Sequence, residues 1–185
     1  MAISINEAMA RANSISLKGL GNTWPNPIVG AVLLSPSGEV LSEGFHQRGA
    51  NSAVGDHAEV VALKLAGERA RGAVLVVTLE PCNHHGKTPP CTDAIIAAGV
   101  AKVIYAVADP NPDAQGGHEK LKGAEIDVVV FDDRSEIEAA NRAWLFKMKS
   151  GRPYLSAKIA ATADGFIAAA DGTSKWITSP EARAD

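Results

Sequence analysis

The sequence predicts an α/β protein in which helices cover both faces of a β-sheet. Three observations carry this. Short runs rich in valine, isoleucine and leucine read as strands, helical segments separate most of them, and Pro, Gly, Asn and Asp punctuate the junctions. Ser4-Ile5-Asn6-Glu7 forms a capping box that opens a helix to about Leu17. Residues 22–27 are a loop with two prolines. Ile28 to Leu34 reads as a strand, Ser35-Pro36-Ser37-Gly38 as a turn and Val40 to Phe45 as the returning strand of a hairpin. Residues 49–56 are polar and contain glycine, as a loop does. A helix follows from about His57 to Ala70, with Val60, Val61, Leu63 and Leu65 as its apolar contribution. Ala73 to Leu79 is apolar and β-branched, as expected of a central strand. After a loop, Cys91 to Ala98 is a helix closed by Gly99. Val103 to Ala108 is a strand, 109–117 a loop, 118–122 a short helix, 126–131 a strand and 135–148 a last helix. The predicted order is α-β-β-α-β-α-β-α-β-α.

Ser150-Gly151-Arg152-Pro153 breaks the pattern. Tyr154 to Ala160 restarts as a strand, and Asp164-Gly165 is a turn. Chains below about 40 residues rarely bury a core of their own. The expected organisation is therefore one domain over 1–149 and the opening of a second over 150–185.

Composition narrows the function. The chain has 185 residues, 46% of them apolar, the balance of a globular protein. No apolar run approaches the roughly 20 residues that span a bilayer. The start of the chain lacks the basic and apolar regions of a signal peptide, so a cytoplasmic location is expected. Net charge is −3 and aromatic residues make up 5%. With no basic stripe and few rings to stack bases, nucleic acid is not the expected partner and a small molecule is.

Two clusters carry the chemistry: His57-Ala58-Glu59, then Pro81-Cys82 with Cys91 nine residues on. One imidazole and two thiolates leave a fourth position open, as catalytic zinc sites do, whereas structural zinc sites are usually closed by four ligands. A carboxylate beside that position can move protons. His57 and Glu59 are two apart, so they can meet only where a helix begins, with Asp56 as a candidate N-cap. Cys91 follows Thr88-Pro89-Pro90, which places it in the first turn of a helix with Thr88 as a candidate N-cap. Helix N–H groups there lower a thiol pKa. The order His-x-Glu then Pro-Cys and a second Cys matches the zinc deaminase signature, except that eight residues, not two, separate the cysteines. Two plainer alternatives stand beside this: a Cys82–Cys91 disulfide, and a closed structural zinc site using His84 or His85.

The loop Pro81-Cys82-Asn83-His84-His85-Gly86-Lys87-Thr88-Pro89-Pro90-Cys91 makes the resemblance narrow. With Pro25-Asn26-Pro27-Ile28-Val29-Gly30, Gly44-Phe45-His46, Thr78-Leu79-Glu80-Pro81-Cys82 and Asp109-Pro110-Asn111-Pro112, the chain resembles the pyrimidine deaminases of riboflavin biosynthesis, the N-terminal half of bifunctional deaminase–reductases. The resemblance implies a cytidine-deaminase-like three-layer α/β/α sandwich with a central mixed sheet and one zinc ion per chain. It implies hydrolytic deamination of diaminohydroxyphosphoribosylaminopyrimidine and a possible homo-oligomer. His57, Cys82 and Cys91 would be zinc ligands and Glu59 the catalytic proton shuttle. Asn26, His46, His84, Lys87, Asp109 and Asn111 would contact the substrate. Plainer readings stay open for some: Asn26 and the Asp109–Pro112 stretch as turn residues, Lys87 as a solvated charge, and His85 and His118 as surface residues. The eleven residues from His46 to His57 exceed the family's usual gap, so 49–56 reads as an insertion. Residues 158–165 and 174–178 resemble the opening of the reductase, where Ala160 and Trp176 would touch NADPH and Ser174 the substrate. NADPH is expected only with a complete reductase domain, and reductase activity is expected to be absent from this chain. Rival functions are deamination of free or RNA-borne bases, and a non-catalytic protein that keeps the metal site.

Overall fold

The computed structural model describes residues 1–48, 55–86, 88–175 and 177–184. The strands are β1 (Gly30–Leu34), β2 (Val40–Phe45), β3 (Val74–Leu79), β4 (Lys102–Val107) and β5 (Asp127–Val130). The helices are α1 (Ile5–Ser16), α2 (Ala58–Ala66), α3 (Cys91–Ala98), α4 (Gly117–Gly123), α5 (Ser135–Ala140), α6 (Arg142–Ser150) and α7 (Pro180–Ala184). The α1 and α2 helices each tighten into a 3-10 turn. The capping box of α1 is complete: Glu7 N donates to Ser4 Oγ at 3.2 Å, and Ser4 N donates to Glu7 Oε2 at 2.7 Å.

The strands pair in the order β2-β1-β3-β4-β5. β1 runs antiparallel to both β2 and β3, while β3, β4 and β5 are mutually parallel. The sheet is therefore mixed, with β3 at its centre and its residues Leu75 to Leu79 buried. Two glycines show how it is covered on both faces. A Cβ on Gly30 would lie 1.9 Å from the Ala12 carbonyl oxygen of α1. A Cβ on Gly44 would lie 2.2 Å from the Ala58 carbonyl oxygen of α2. Gly44 pairs with Ala31, not with Gly30, so the two glycines face opposite sides of the sheet. α1 touches α5 on one side, while α2, α3 and α4 touch in turn on the other. Leu33, Leu75, Val76, Ile95, Val103 and Leu121 are among the buried side chains of the core.

Gly44→Ala is expected to destabilise the fold by about 1–3 kcal/mol, because backbone cannot rotate out of the way as a side chain can. A lowered thermal midpoint checks this. An unchanged midpoint would show that α2 gives way freely.

Three sequence expectations are corrected. The final helix is two helices, α5 and α6, broken at Asn141. Asn141 is 7% exposed; its Nδ2 donates to the Ile28 carbonyl at 2.8 Å and its Oδ1 accepts from Ile28 N at 3.0 Å. A long-range clamp of this kind leaves no trace in local periodicity. β1 starts at Gly30, two residues late, because Ile28 is held by that clamp. Tyr154 to Ala160 forms no strand; its residues are exposed, with Leu155 at 85% and Ile159 at 75%.

The chain divides into two compact units, Met1–Pro153 and Tyr154–Asp185. In the second, turns at 162–166 and 169–173 and the short α7 are formed, and none of its described residues is buried. Among the described residues no helix is long and apolar enough to cross a membrane.

Candidate metal centre and its cavity

α2 begins one residue later than expected. His57, in extended conformation at φ −69° and ψ 156°, is its N-cap, in place of Asp56. The Asp56 carboxylate instead accepts from Lys64 Nζ at 2.7 Å. Glu59 follows in the first turn, 4% exposed. Cys82 lies in the loop after β3. Cys91 is the first residue of α3, whose N-cap is Pro90 and not Thr88. The Cys91 N–H points at Cys82 Sγ at 3.4 Å. A helix start thus supplies a backbone donor to one thiolate and the sulfur of the other ligand.

His57 Nδ1 lies 3.1 Å from Cys91 Sγ and 3.5 Å from Cys82 Sγ. The three ligand atoms all lie within 4.8 Å of one another. Zinc bonds of about 2.3 Å to sulfur and 2.05 Å to nitrogen, at tetrahedral angles, require N and S to be about 3.6 Å apart. The donor set and its spacing fit zinc. Both cysteines are free, which removes the disulfide alternative. His84 and His85 take no part in the cluster: His85 is exposed and faces Asp93 at 3.9 Å. Among the described residues no other such group occurs.

Electrostatics follow from burial and proximity. Hydrogen bonding to Cys82 raises the His57 imidazole to about 9. Hydrogen bonding to Cys91 holds the Cys82 thiol far below its usual range, while the same bond and burial push Cys91 well above it. Burial raises the Glu59 carboxyl, partly offset by His57. Glu59 and Cys91 each shift the other's pKa, and Glu59 borders the same cavity as His57 and Cys82, so its carboxyl lies beside the cluster.

A cavity of about 460 Å³ opens over His57, Glu59 and Cys82. Asn26, His46, His84, Asp109 and Asn111 all border it. His46 Nδ1 faces the Asp56 carbonyl at 3.2 Å, so that nitrogen carries the proton; Nε2 then accepts from Asn26 Nδ2 at 3.2 Å. Burial lowers the His46 pKa, which favours this neutral form. His84 Nδ1 is buried without a hydrogen-bond partner among the described residues. Asp109 is 7% exposed and pushed up to about 6, chiefly by burial. Its Oδ1 accepts from Asn111 N at 2.9 Å, so the turn reading of this stretch holds alongside its place in the cavity. Lys87, Trp176 and most of the 49–56 insertion lie outside the described residues. Ala160 and Ser174 are exposed in the second unit, where Ser174 Oγ donates to the Ile167 carbonyl at 2.9 Å.

Sequence reasoning missed several residues. Glu80 is 8% exposed and accepts from Asp109 N at 3.2 Å and from His118 N at 2.9 Å. It ties the loop bearing Asp109 to the start of α4; its place beside Pro81-Cys82 was the available signal. His118 is not a plain surface residue, since its Nδ1 meets Tyr105 Oη at 3.0 Å. Arg48, Trp144 and Lys147 also border the cavity, and no local motif marks them.

Fold and site together are those of the zinc-binding deaminase class of domains. Residues 3–107 match the family model of the cytidine and deoxycytidylate deaminase zinc-binding region, and the chain belongs to this family. Within it, the chain is similar to the riboflavin biosynthesis protein RibD. Identity to that protein of Escherichia coli is 50% over 178 residues, covering 96% of this chain and 47% of the relative. For Mycobacterium tuberculosis it is 49% over 183 residues, covering 98% and 53%. Residues 153–185 match the RibD C-terminal domain model. A diaminohydroxyphosphoribosylaminopyrimidine deaminase/5-amino-6-(5-phosphoribosylamino)uracil reductase of Thermotoga maritima superposes with a TM-score of 0.87 at 41% identity, over 95% of this chain and 50% of that one. RibD of Acinetobacter baumannii gives 0.86 at 43%, over 97% and 49%. The chain spans about half the length of these relatives. The likeness to a cyanophage dCMP deaminase, at 24% identity and a TM-score of 0.54, is one of fold.

Proposed function

We propose that this chain is a zinc-dependent hydrolytic deaminase of riboflavin biosynthesis. In this reading it exchanges an exocyclic amine of diaminohydroxyphosphoribosylaminopyrimidine for a carbonyl, consuming one water and releasing one ammonia. The observation that carries the reading is the convergence of His57, Cys82 and Cys91 with a buried Glu59 at a cavity that several polar side chains border. His57, Cys82 and Cys91 would hold the zinc, and their two thiolates balance its charge. Bound zinc supplies the Lewis acidity that makes a water nucleophilic near neutral pH. Glu59 takes a proton at the floor of the cavity and delivers it to the ring nitrogen, then serves the departing ammonia. A raised carboxyl pKa suits that work, since proton transfer is most efficient when the group titrates near the working pH.

Asn26, oriented by His46, presents a donor and an acceptor to a ring or sugar edge. Asp109 accepts from the substrate and Asn111 flanks it. His84 and Lys87 serve ribose or phosphate. A cytoplasmic location and a possible homo-oligomer belong to the same reading. The reductase roles of Ala160, Ser174 and Trp176 require a domain that residues 150–185 do not build alone, so these residues perform no NADPH-dependent reduction by themselves.

Ammonia release from the phosphorylated pyrimidine by the zinc-loaded protein tests the proposal, with cytidine, guanine and tRNA as alternative substrates. Turnover of one of these and not of the pyrimidine would overturn it. A pH dependence follows as well. If ionised Asp109 accepts from the substrate, kcat/KM falls about tenfold per pH unit below about 6 and levels above it, since protonation removes the acceptor. Asp109→Asn should lose that acidic limb; an unchanged profile would remove Asp109 from substrate binding.

A further inference from the structure

The groups assigned so far leave two cations of the cavity without a task. Arg48, in the loop after β2, and Lys147, on α6, both border it. Both are gathered around Trp24. The Arg48 guanidinium Nη1 donates to the Trp24 carbonyl oxygen, and Lys147 Nζ sits over the Trp24 ring, 4.3 Å from its centroid. Trp24 is 60% exposed, so this grouping lies on the solvent side. The cavity's carboxyl groups are elsewhere: Glu59, Glu80 and Asp109 are 4%, 8% and 7% exposed. Among the described residues, neither Arg48 nor Lys147 is paired with a carboxylate. The charged groups of the cavity are therefore separated, with buried acids beside the candidate metal centre and Arg48 and Lys147 near Trp24.

Two like charges collected on one residue repel each other, and an anion between them removes that cost. A guanidinium offers a planar fork to a tetrahedral oxyanion, and an ammonium adds a point charge. We propose that Arg48 and Lys147, held by the carbonyl and ring face of Trp24, add to the contacts given above to His84 by receiving the phosphate monoester end of the substrate, and so set the preference for a phosphorylated over an unphosphorylated pyrimidine. The same polarity fixes orientation: the buried acids repel a phosphate dianion, so the amino-bearing ring is the end that reaches Glu59. That the anion is the substrate's own phosphate rests on the deaminase reading above. Recognition of a sugar phosphate by the rim does not.

The experiment uses the zinc-loaded full chain with Arg48→Met, Lys147→Met, Arg48→Lys and Lys147→Arg. Binding of ribose 5-phosphate and of ribose is measured by calorimetry. The ratio of kcat/KM for the phosphorylated pyrimidine to that for its dephosphorylated form is measured by ammonia release. Each Met variant is expected to weaken ribose 5-phosphate by about 10- to 100-fold and to lower the ratio by a similar factor through KM. Lys147→Arg is expected to recover most of both, and Arg48→Lys, which keeps the charge but loses the fork, only part. Ribose 5-phosphate affinity equal in the wild type and both Met variants, or a ratio unchanged in both, overturns the inference. If the wild type releases no ammonia from either pyrimidine, the deaminase reading has failed. The calorimetry then still decides the rim: weaker ribose 5-phosphate binding by the Met variants supports it and equal binding overturns it.

Discussion

Replacing Glu59 by glutamine is expected to lower ammonia release by about 10²–10⁴-fold while zinc content and thermal midpoint stay close to those of the wild type. The substitution conserves volume in a site where Glu59 is 4% exposed, so packing against the first turn of α2 survives. What disappears is the ability to take up a proton. The same burial that raises the Glu59 pKa keeps bulk water from substituting for it. The defect should appear in kcat, because the group acts on the reacting atoms and not on the phosphate end. Wild-type turnover in Glu59→Gln would exclude the carboxylate as proton carrier. Loss of zinc from the variant would instead assign Glu59 to building the metal site.

Zinc uptake by the metal-free protein is expected to release about two protons at pH 7. Metal coordination requires neutral imidazole and thiolate ligands. In the metal-free chain, His57 is raised to about 9 by its hydrogen bond to Cys82, and Cys91 is held well above the usual thiol range by Cys82 and burial. Both groups carry a proton at pH 7. Cys82, pushed down by its hydrogen bonds, is already a thiolate. The direction follows: two protons compete with the metal, so zinc affinity rises with pH by about 100-fold per unit near 7 and less steeply once His57 titrates near 9. Calorimetry in buffers of different ionisation enthalpy counts the protons. A count near zero would mean that the cluster sits deprotonated before metal arrives. Cys91→Ala is expected to lose zinc and ammonia release together, since it removes one of three ligands that the structure brings together.

The elements easiest to read in the sequence are those whose signals are local. The capping box Ser4/Glu7, the hairpin of β1 and β2 and the glycine end of α3 were legible because each rests on contacts within a few residues. His57, Glu59, Cys82 and Cys91 were legible for a related reason. A helix start and a strand-to-helix loop impose short spacings on residue types that chemistry uses together, so the motif is written in order along the chain. The N-caps were misplaced by one residue at α2 and by two at α3, because cap geometry depends on side-chain alternatives that spacing does not resolve. Residues 154–160 read as a strand from composition, but a strand needs a neighbour to pair with, and the described residues there find none.

What the sequence determined by itself is the chemistry available: one imidazole, two thiols and a carboxylate, on two helix starts and a strand-to-helix loop. What only the tertiary structure decided is which distant groups share a space with them. Asn141 finds Ile28 across the chain, Glu80 ties Asp109 to α4, and Arg48 and Lys147 converge on Trp24. Local pattern encodes hydrogen bonds and faces within one element, whereas the meeting of separate elements depends on how the sheet orders them, and no single segment records that order.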